Sequence, residues 1–476
     1  MLRVPRGTYH HPNLVAHRNR SQFRFVDLFA GVGGFHHALA SPEFGGVCEL
    51  AVEIDPAAQR TYGTSFRRTQ LIGDIRAVTE TRPGVDRSER DVARLVPDHE
   101  VLCGGFPCQP FSKSGAQDGV RDKTRGTLFF DILQIIRAKH PRFVILENVR
   151  NLAGPRHRDT WRTIVESLRC EGYRVADEPV VFSPHNLPQG LGGAPQVRER
   201  VFILAQRVAP GAELTEEPLV QNEPVNGWSP SRWRIEDILD TDETIPTIER
   251  YRLRPEESAW LEAWAALVRD IPDESLPGFP IWVDAFASRL RVPSGTPDWK
   301  RTFLEKNFDW YQQHKKYLDR WSERSWLKGR TYRVADFPAS RRKFEWQARS
   351  FQPRRSDRDL WKLVIHLRPS GIRVKPPTYV PALVAITQTS IIGSRRRRMT
   401  PAECARLQGI PPEVFAAAGV PDRIAYKQLG NAVNVGAVRW VARALFRSAG
   451  LDWGASLDVS ASPGRQRHPP LVKAVS

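Results

Sequence analysis

Short apolar runs alternate with helix-like segments through the first part of the chain. QFRFVDLFA, VCELAVEID, VPDHEVLCG, RFVILENV and VRERVFILA carry β-branched or aromatic residues and read as strands. Between them lie GGFHHALA, LFFDILQIIRAK and RDTWRTIVESLRC, whose apolar positions recur at helical spacing. Strands alternating with helices predict βαβ units and an α/β, Rossmann-like domain with a mostly parallel sheet covered on both faces. Ligands of such sheets bind at the carboxyl ends of the strands.

From about residue 206 to 385 the pattern changes. Trp, Pro and Arg become frequent and the alternation stops. PEESAWLEAWAALVRD predicts an amphipathic helix with Trp260, Trp264 and Leu267 on one stripe, and PDWKRTFLEKNFDWYQQHKKYLDRW predicts another. We expect a smaller, irregular domain here. MTPAECARLQGIP then starts a helix that Thr400 caps, with Pro401 at its first position, Glu403 completing a capping box, and Gly409 and Pro411 stopping it. YKQLGNAVNVGAVRWVARALF reads as a Gly-Asn turn followed by an apolar helix. The expected division is a basic arm (1–21), the α/β domain (22–205), the irregular domain (206–385), a segment returning to the α/β domain (386–450) and a frayed polar tail (451–476).

The length of 476 residues allows two or three domains. No run reaches the ~20 apolar residues of a membrane span. The basic N-terminus, MLRVPRGTYHHPNLVAHRNR, lacks the apolar core of a secretory signal, so a cytoplasmic protein without a membrane partner is expected. The formal net charge of +18 favours a polyanionic partner. The 5 cysteines are scattered and do not suggest a disulfide framework. Cys103 and Cys108 lack zinc-site spacing, and no metal is expected.

In VLCGGFPCQPFSKSG, Gly104 and Gly105 take the chain off a strand at its carboxyl end, and Pro107 restricts the path of Cys108. A lone cysteine is commonly a small buried hydrophobe. That role suits Cys103, still within the strand, whereas the loop setting makes Cys108 a candidate nucleophile. DLFAGVGG follows a strand and opens a helix, so its glycines allow close backbone approach to a ligand, although the spacing is not the full dinucleotide fingerprint. Glu53 and Asp55 both stand where a carboxylate accepts from ribose hydroxyls.

DLFAGVGG, VEID, GDI, GGFPCQPFS with ENV, QVRER and GNAVNV occur in one order, and together they resemble the DNA (cytosine-5)-methyltransferases, as found in bacterial modification systems. The resemblance covers roughly residues 23 to 205 and 386 to 448. It implies S-adenosylmethionine as cofactor, held by Phe29, Ala30, Gly31, Gly33, Glu53 (favoured over Asp55), Ile54, Asp74, Ile75, Asn431 and Val433. It implies that Cys108 attacks C6 of a cytosine swung out of the duplex, making C5 able to take the methyl group. Glu147, its pKa raised by burial, would donate to N3, with Asn148 positioning it or the adjoining loop. Arg200 would donate to O2 and Arg198, on the same side of one strand, would belong to the catalytic pocket. The run PHNLPQGLGGAPQ before them is longer and richer in glycine than the family pattern.

QPFSKSGAQDGVRDKTRGT would then be a mobile loop closing behind the base, with Gly115, Gly119 and Gly126 as hinges. Lys113, Arg121, Lys123 and Arg125 would meet phosphates, and Ser114 would fill the vacated space. In the middle domain Arg341, Arg342, Arg368 and Arg373 are candidate DNA contacts. Phe344, Trp346 and Phe351 interleave with basic residues, and Arg395 to Arg398 form either a phosphate clamp or a solvated cluster. The implied partner is double-stranded DNA in a nucleoid-associated monomer, with a cognate restriction endonuclease as functional counterpart. Three readings compete: RNA cytosine methylation, disfavoured by the size of the middle domain; an inactive DNA-binding relative, disfavoured by Cys108, Glu147 and Arg200 together; and a nicotinamide oxidoreductase, disfavoured by the glycine pattern.

Overall fold

The computed structural model of the protein describes residues 23–107, 128–385 and 389–454. The chain opens with β1 (Arg24–Leu28), α1 (Gly34–Leu39), β2 (Val47–Val52), α2 (Pro56–Ser65) and β3 (Gln70–Ile72). A small helix and hairpin follow: α3 (Arg76–Thr79), β4 (Glu80–Arg82) and β5 (Val85–Asp86). Next come α4 (Glu89–Leu95), β6 (Val101–Gly105), α5 (Leu128–Lys139), β7 (Phe143–Val149) and α6 (Arg158–Cys170). The first half ends with β8 (Tyr173–Ala176), β9 (Val180–Phe182), β10 (Gln196–Val197), β11 (Arg200–Arg207) and β12 (Thr215–Glu216).

These strands build a sheet in the order β12-β8-β11-β7-β6-β1-β2-β3, with β9 alongside β11. Pairing is parallel from β3 through β7, while β11 runs antiparallel to β7 and β8. Successive side chains on each strand enter opposite cores, as the pleat requires. Phe25, Cys103, Ile145 and Phe202 enter one core; Val26, Leu102, Val144 and Val201 enter the other. The expected α/β fold with a mostly parallel sheet is therefore present.

The second half is more regular than its composition suggests. It contains α7 (Pro255–Asp270), β13 (Ile281–Trp282), α8 (Asp298–Glu323, kinked at His314), β14 (Lys343–Trp346), β15 (Val364–Arg368), β16 (Gly371–Lys375), β17 (Val380–Pro381), β18 (Ile391–Ile392) and β19 (Arg397–Arg398). A six-stranded sheet in the order β13-β14-β16-β15-β18-β19 packs one face against α7 and α8, burying Trp260, Trp264, Leu267, Trp310 and Trp321. This sheet continues through Arg398, past the boundary expected at 385. The helices α9 (Pro401–Gln408), α10 (Glu413–Ala417), α11 (Asp422–Asn431) and α12 (Val435–Ser448) then return to the first sheet, where α12 packs on α1.

The capping box at α9 forms as the sequence predicts: Thr400 Oγ1 accepts from Glu403 N, Glu403 accepts from Thr400 N, and Gly409 adopts φ 70° at the end. The Gly-Asn turn does not form. Gly430 and Asn431 complete α11, and the turn falls at Ala432–Asn434, because Asn434 caps α12 by accepting from Ala437 N. Order extends beyond residue 451: the Trp453 ring stacks on Phe23 at 4.7 Å and meets Phe446 and Phe143 edge-on. The PHNLPQGLGGAPQ run makes two short 3-10 turns, and Gly192 lies against Gly436 at the start of α12. A Cβ on Gly436 would sit 1.8 Å from the Gly192 carbonyl oxygen, so only glycine allows that approach. No described helix is long and apolar enough to cross a membrane.

Candidate active site

The carboxyl ends of β1, β2, β6 and β7 open on one cavity of about 410 Å³. Its wall on the β1 side is the turn after β1. Phe29 (φ 57°) and Gly31 (φ 57°) there adopt left-handed backbone, which for Phe29 carries strain. The turn is held from the end of β2: Glu53 Oε2 accepts from Gly31 N and Glu53 Oε1 from Asp55 N, each at 2.7 Å. Asp55 caps α2 and pairs with Lys427 at 3.0 Å. Asp74 accepts from Arg76 N, Ile75 is buried beside it, and Ile54 projects into solvent at the rim. Phe29, Gly31, Glu53, Ile54, Asp74, Ile75 and Asn431 thus line one cavity.

Ala30, Gly33 and Val433 do not line it; they support the turn from behind. A Cβ on Gly33 would press into the Phe66 ring at 2.4 Å, and one on Gly34 would meet Val433 at 2.6 Å. Phe66 stacks on His36, whose Nδ1 lies 2.7 Å from the Tyr62 hydroxyl. Burial lowers the His36 pKa to about 3, keeping the ring neutral. Beneath the turn, Asp27 is fully buried, and burial together with the Glu53 charge pushes its pKa well up. Lys427 and Gln428 also line the cavity; the sequence reading missed them because only their place one helical turn before Asn431 marks them.

The opposite wall carries the candidate acid and base groups. Glu147 stands two positions from the end of β7 beside Gly105 of β6, and a Cβ on Gly105 would come within 3.2 Å of Glu147 Oε2. Arg200 opens β11 and its Nε lies 3.0 Å from Glu147 Oε1, while its Nη1 donates to the Glu199 carbonyl. Burial raises the Glu147 pKa in spite of Arg200 and Arg198 nearby. Asn148 Nδ2 donates to the Phe106 carbonyl at 3.0 Å, fixing the segment that leads through Pro107 at the cavity rim. Cys108, Lys113, Ser114, Arg121, Lys123 and Arg125 lie outside the described residues.

Arg198 lines this cavity, but not from the strand that carries Arg200. QVRER is not one strand: β10 pairs with β17 and β11 with β7, so the chain changes partners at Arg198–Glu199. Arg198 is 2% exposed, and its guanidinium donates to the carbonyls of Leu383, Gly430 and Ala432.

The middle-domain candidates also divide. Arg341 is buried, donates to the Arg368 carbonyl and lies over the Trp260 ring, so it is a packing residue rather than a free DNA contact. Phe344 and Trp346 belong to the core of the second sheet, while Phe351 is exposed. Arg342 pairs with Asp284 at 3.1 Å and Arg373 with Glu345 at 2.8 Å; Arg368 is exposed. In the run from Arg395 to Arg398 the last two side chains are engaged internally, while Arg396 is exposed. Arg397 is fully buried and holds Glu403 with both Nη atoms and Asp242 with Nε, Arg398 holds Glu257, and Arg396 covers the Trp361 ring.

The family model for C-5 cytosine-specific DNA methylase matches residues 23–447. The chain is 40% identical to "Type II methyltransferase M.AluI" of Cellulosimicrobium cellulans, over 89% of this chain and 92% of that protein. It is 28% identical to "Type II methyltransferase M.BanI" of Aneurinibacillus aneurinilyticus, over 90% and 96% respectively. Among solved structures, the S. pombe Dnmt2 methyltransferase aligns over 90% of this chain and all of its own, at 16% identity and a TM-score of 0.49. With the family model spanning both the glycine turn and the returning helices that enclose the cavity, the chain belongs to the C-5 cytosine-specific DNA methylases.

Proposed function

We propose that this enzyme transfers the methyl group of S-adenosylmethionine to C5 of a cytosine flipped out of a specific duplex DNA sequence, as the modification member of a restriction–modification pair. The observation that carries the reading is one cavity lined on one side by Phe29, Glu53 and Asp74 and on the other by Glu147 and Arg200, with Pro107 at its rim immediately before Cys108. Its volume suits a nucleoside-sized ligand. Glu53 and Asp74 fit as acceptors for ribose hydroxyls and an adenine amino group, and Phe29 fits as an apolar face for the ring. The cofactor supplies an electrophilic methyl group when bound.

The chain's own groups account for the rest. The Cys108 thiolate adds to C6, and the ring electrons move toward C5 and N3. The protonated Glu147 carboxyl hydrogen-bonds N3, and Arg200 donates to O2. C5 takes the methyl group, loses its proton, and the ring expels the thiolate. In the structure Glu147 and Arg200 pair with each other, so an entering base divides this contact between its N3 and O2 edges. Extruding the base costs about a few kcal/mol, which DNA contacts must offset. Arg368 and Arg373, on the exposed side of β15 and β16, and Arg342 are the described middle-domain candidates for those contacts.

The test is a duplex carrying 5-fluorocytosine at the target, because fluorine cannot leave as a proton does. Wild-type protein should form an adduct that survives denaturing electrophoresis, and Cys108→Ser should form none while still binding DNA. Adduct formation by Cys108→Ser would refute the nucleophile assignment. Sequencing 5-methylcytosine in DNA from expressing cells gives the recognition site in the same study.

A further inference from the structure

Arg198 stands where three separate segments meet. Its backbone N–H donates to Ser183 Oγ at 2.9 Å. Its Nη1 donates to the Leu383 carbonyl at 2.8 Å, and its Nη2 donates to the carbonyls of Gly430 at 2.9 Å and Ala432 at 2.8 Å. Leu383 belongs to the strand segment arriving from the second sheet, since β17 just before it pairs with β10. Gly430 and Ala432 flank Asn431 at the end of α11, and Gly430 and Asn431 line the proposed cofactor cavity.

The contact is tight. A Cβ on Gly430 would lie 2.4 Å from the Val384 carbonyl carbon and 2.5 Å from Ala385 N. The end of α11 and the segment around Leu383 therefore touch backbone to backbone, with one guanidinium clasping both. A buried cation is costly, and burial lowers this one to about 9. None of its hydrogen bonds reaches a carboxylate among the described residues. What arginine offers here is geometry: a rigid planar fork reaches three carbonyls together, which the single ammonium of lysine does not.

We propose that Arg198 is a positioning residue that sets the Gly430–Ala432 end of α11, and through it cofactor affinity, against the segment entering from the second sheet, without touching the cytosine. This rests on the cofactor reading of the cavity given above. Arg200, two residues on, remains the base-facing arginine; the chain separates the two roles by changing strand partners between them.

The experiment titrates S-adenosylhomocysteine calorimetrically into the full-length wild type, Arg198→Lys, Gly430→Ala and the double variant. Methylation kinetics at limiting and saturating S-adenosylmethionine, and melting temperatures, accompany it. Each single variant should weaken binding by about tenfold or more, the scale of typical site-to-site coupling, and raise KM for the cofactor in parallel. The kcat at saturating cofactor should stay near that of the wild type. The double variant should bind no more weakly than the weaker single one, because both changes open the same junction. If Arg198→Lys fails to fold, Gly430→Ala carries the same readout. Unchanged cofactor affinity with a reduced kcat in Arg198→Lys would overturn the proposal and place the guanidinium on the base; fully additive losses in the double variant would overturn it too. A wild type that binds no S-adenosylhomocysteine would overturn the cofactor reading itself, and this inference with it.

Discussion

Glu147 shows how burial and charge compete at one residue. Its carboxyl is buried on the β7 edge, and desolvation wins over the attraction of Arg200, so its pKa is raised. A donor to N3 must carry its proton, and activity is therefore expected to fall as pH rises through the folded-state pKa. Glu147→Gln should lower turnover by roughly 10²–10⁴-fold and remove that limb of the pH–rate profile, measured by methyl transfer to duplex DNA. The stability sign follows separately. A carboxyl raised on folding stabilises the protein fully below its unfolded pKa and loses that contribution as pH rises through its folded pKa. The difference in melting temperature between Glu147→Gln and wild type should shift in favour of the variant as pH increases. Arg341 and Arg368 give a second contrast. Arg341→Ala should lower melting temperature, because it removes a packed cation–aromatic contact. Arg368→Ala should leave stability unchanged and weaken DNA binding, as measured by fluorescence anisotropy. That Glu147 and Arg200 share one cavity was readable because motif and strand end coincide. The hydrogen-bond partners of Arg198 were not, since they lie far along the chain and carbonyls leave no mark in side-chain patterns.

At the scale of elements, the capping box of α9 does more than start a helix. Glu403 accepts from Thr400 N, from Asp240 N and from both Nη atoms of Arg397, so its carboxylate joins the second sheet to the returning helices. Thr400→Ala should cost about 1 kcal/mol in denaturant unfolding, the ordinary loss of a cap. Glu403→Ala should cost about 3–5 kcal/mol, because it leaves the fully buried Arg397 without its bidentate partner. Equal losses for the two would mean that the ion pair adds nothing to the cap. The helices were legible almost to the residue: α5, α6 and α7 coincide with the runs picked out by periodicity. The second sheet was not. Its strands span two to five residues, too short for an alternation to register, and its Trp-rich segments resemble a surface until α7 and α8 cover them.

The whole molecule carries a formal charge of +18, and the buried Arg397 and half-buried Arg398 spend theirs on internal carboxylates. DNA affinity should still fall steeply with salt. A log–log plot of the binding constant against salt should be linear, with a slope of about −0.9 for each phosphate neutralised. Arg368→Ala should make it shallower by roughly one unit if that side chain meets a phosphate. The order of the fold was visible in the order of the motifs, which placed GNAV beside DLFAG across most of the chain. How tightly it closes was not visible, because the closure depends on a backbone touch between Gly192 and Gly436. That touch has a consequence for biosynthesis. A ribosome makes the whole second sheet before it makes α12, so a nascent chain holds an open cleft until that helix emerges. Termination anywhere before α12 leaves the cleft without its closing helix, and the methylating activity waits for that helix.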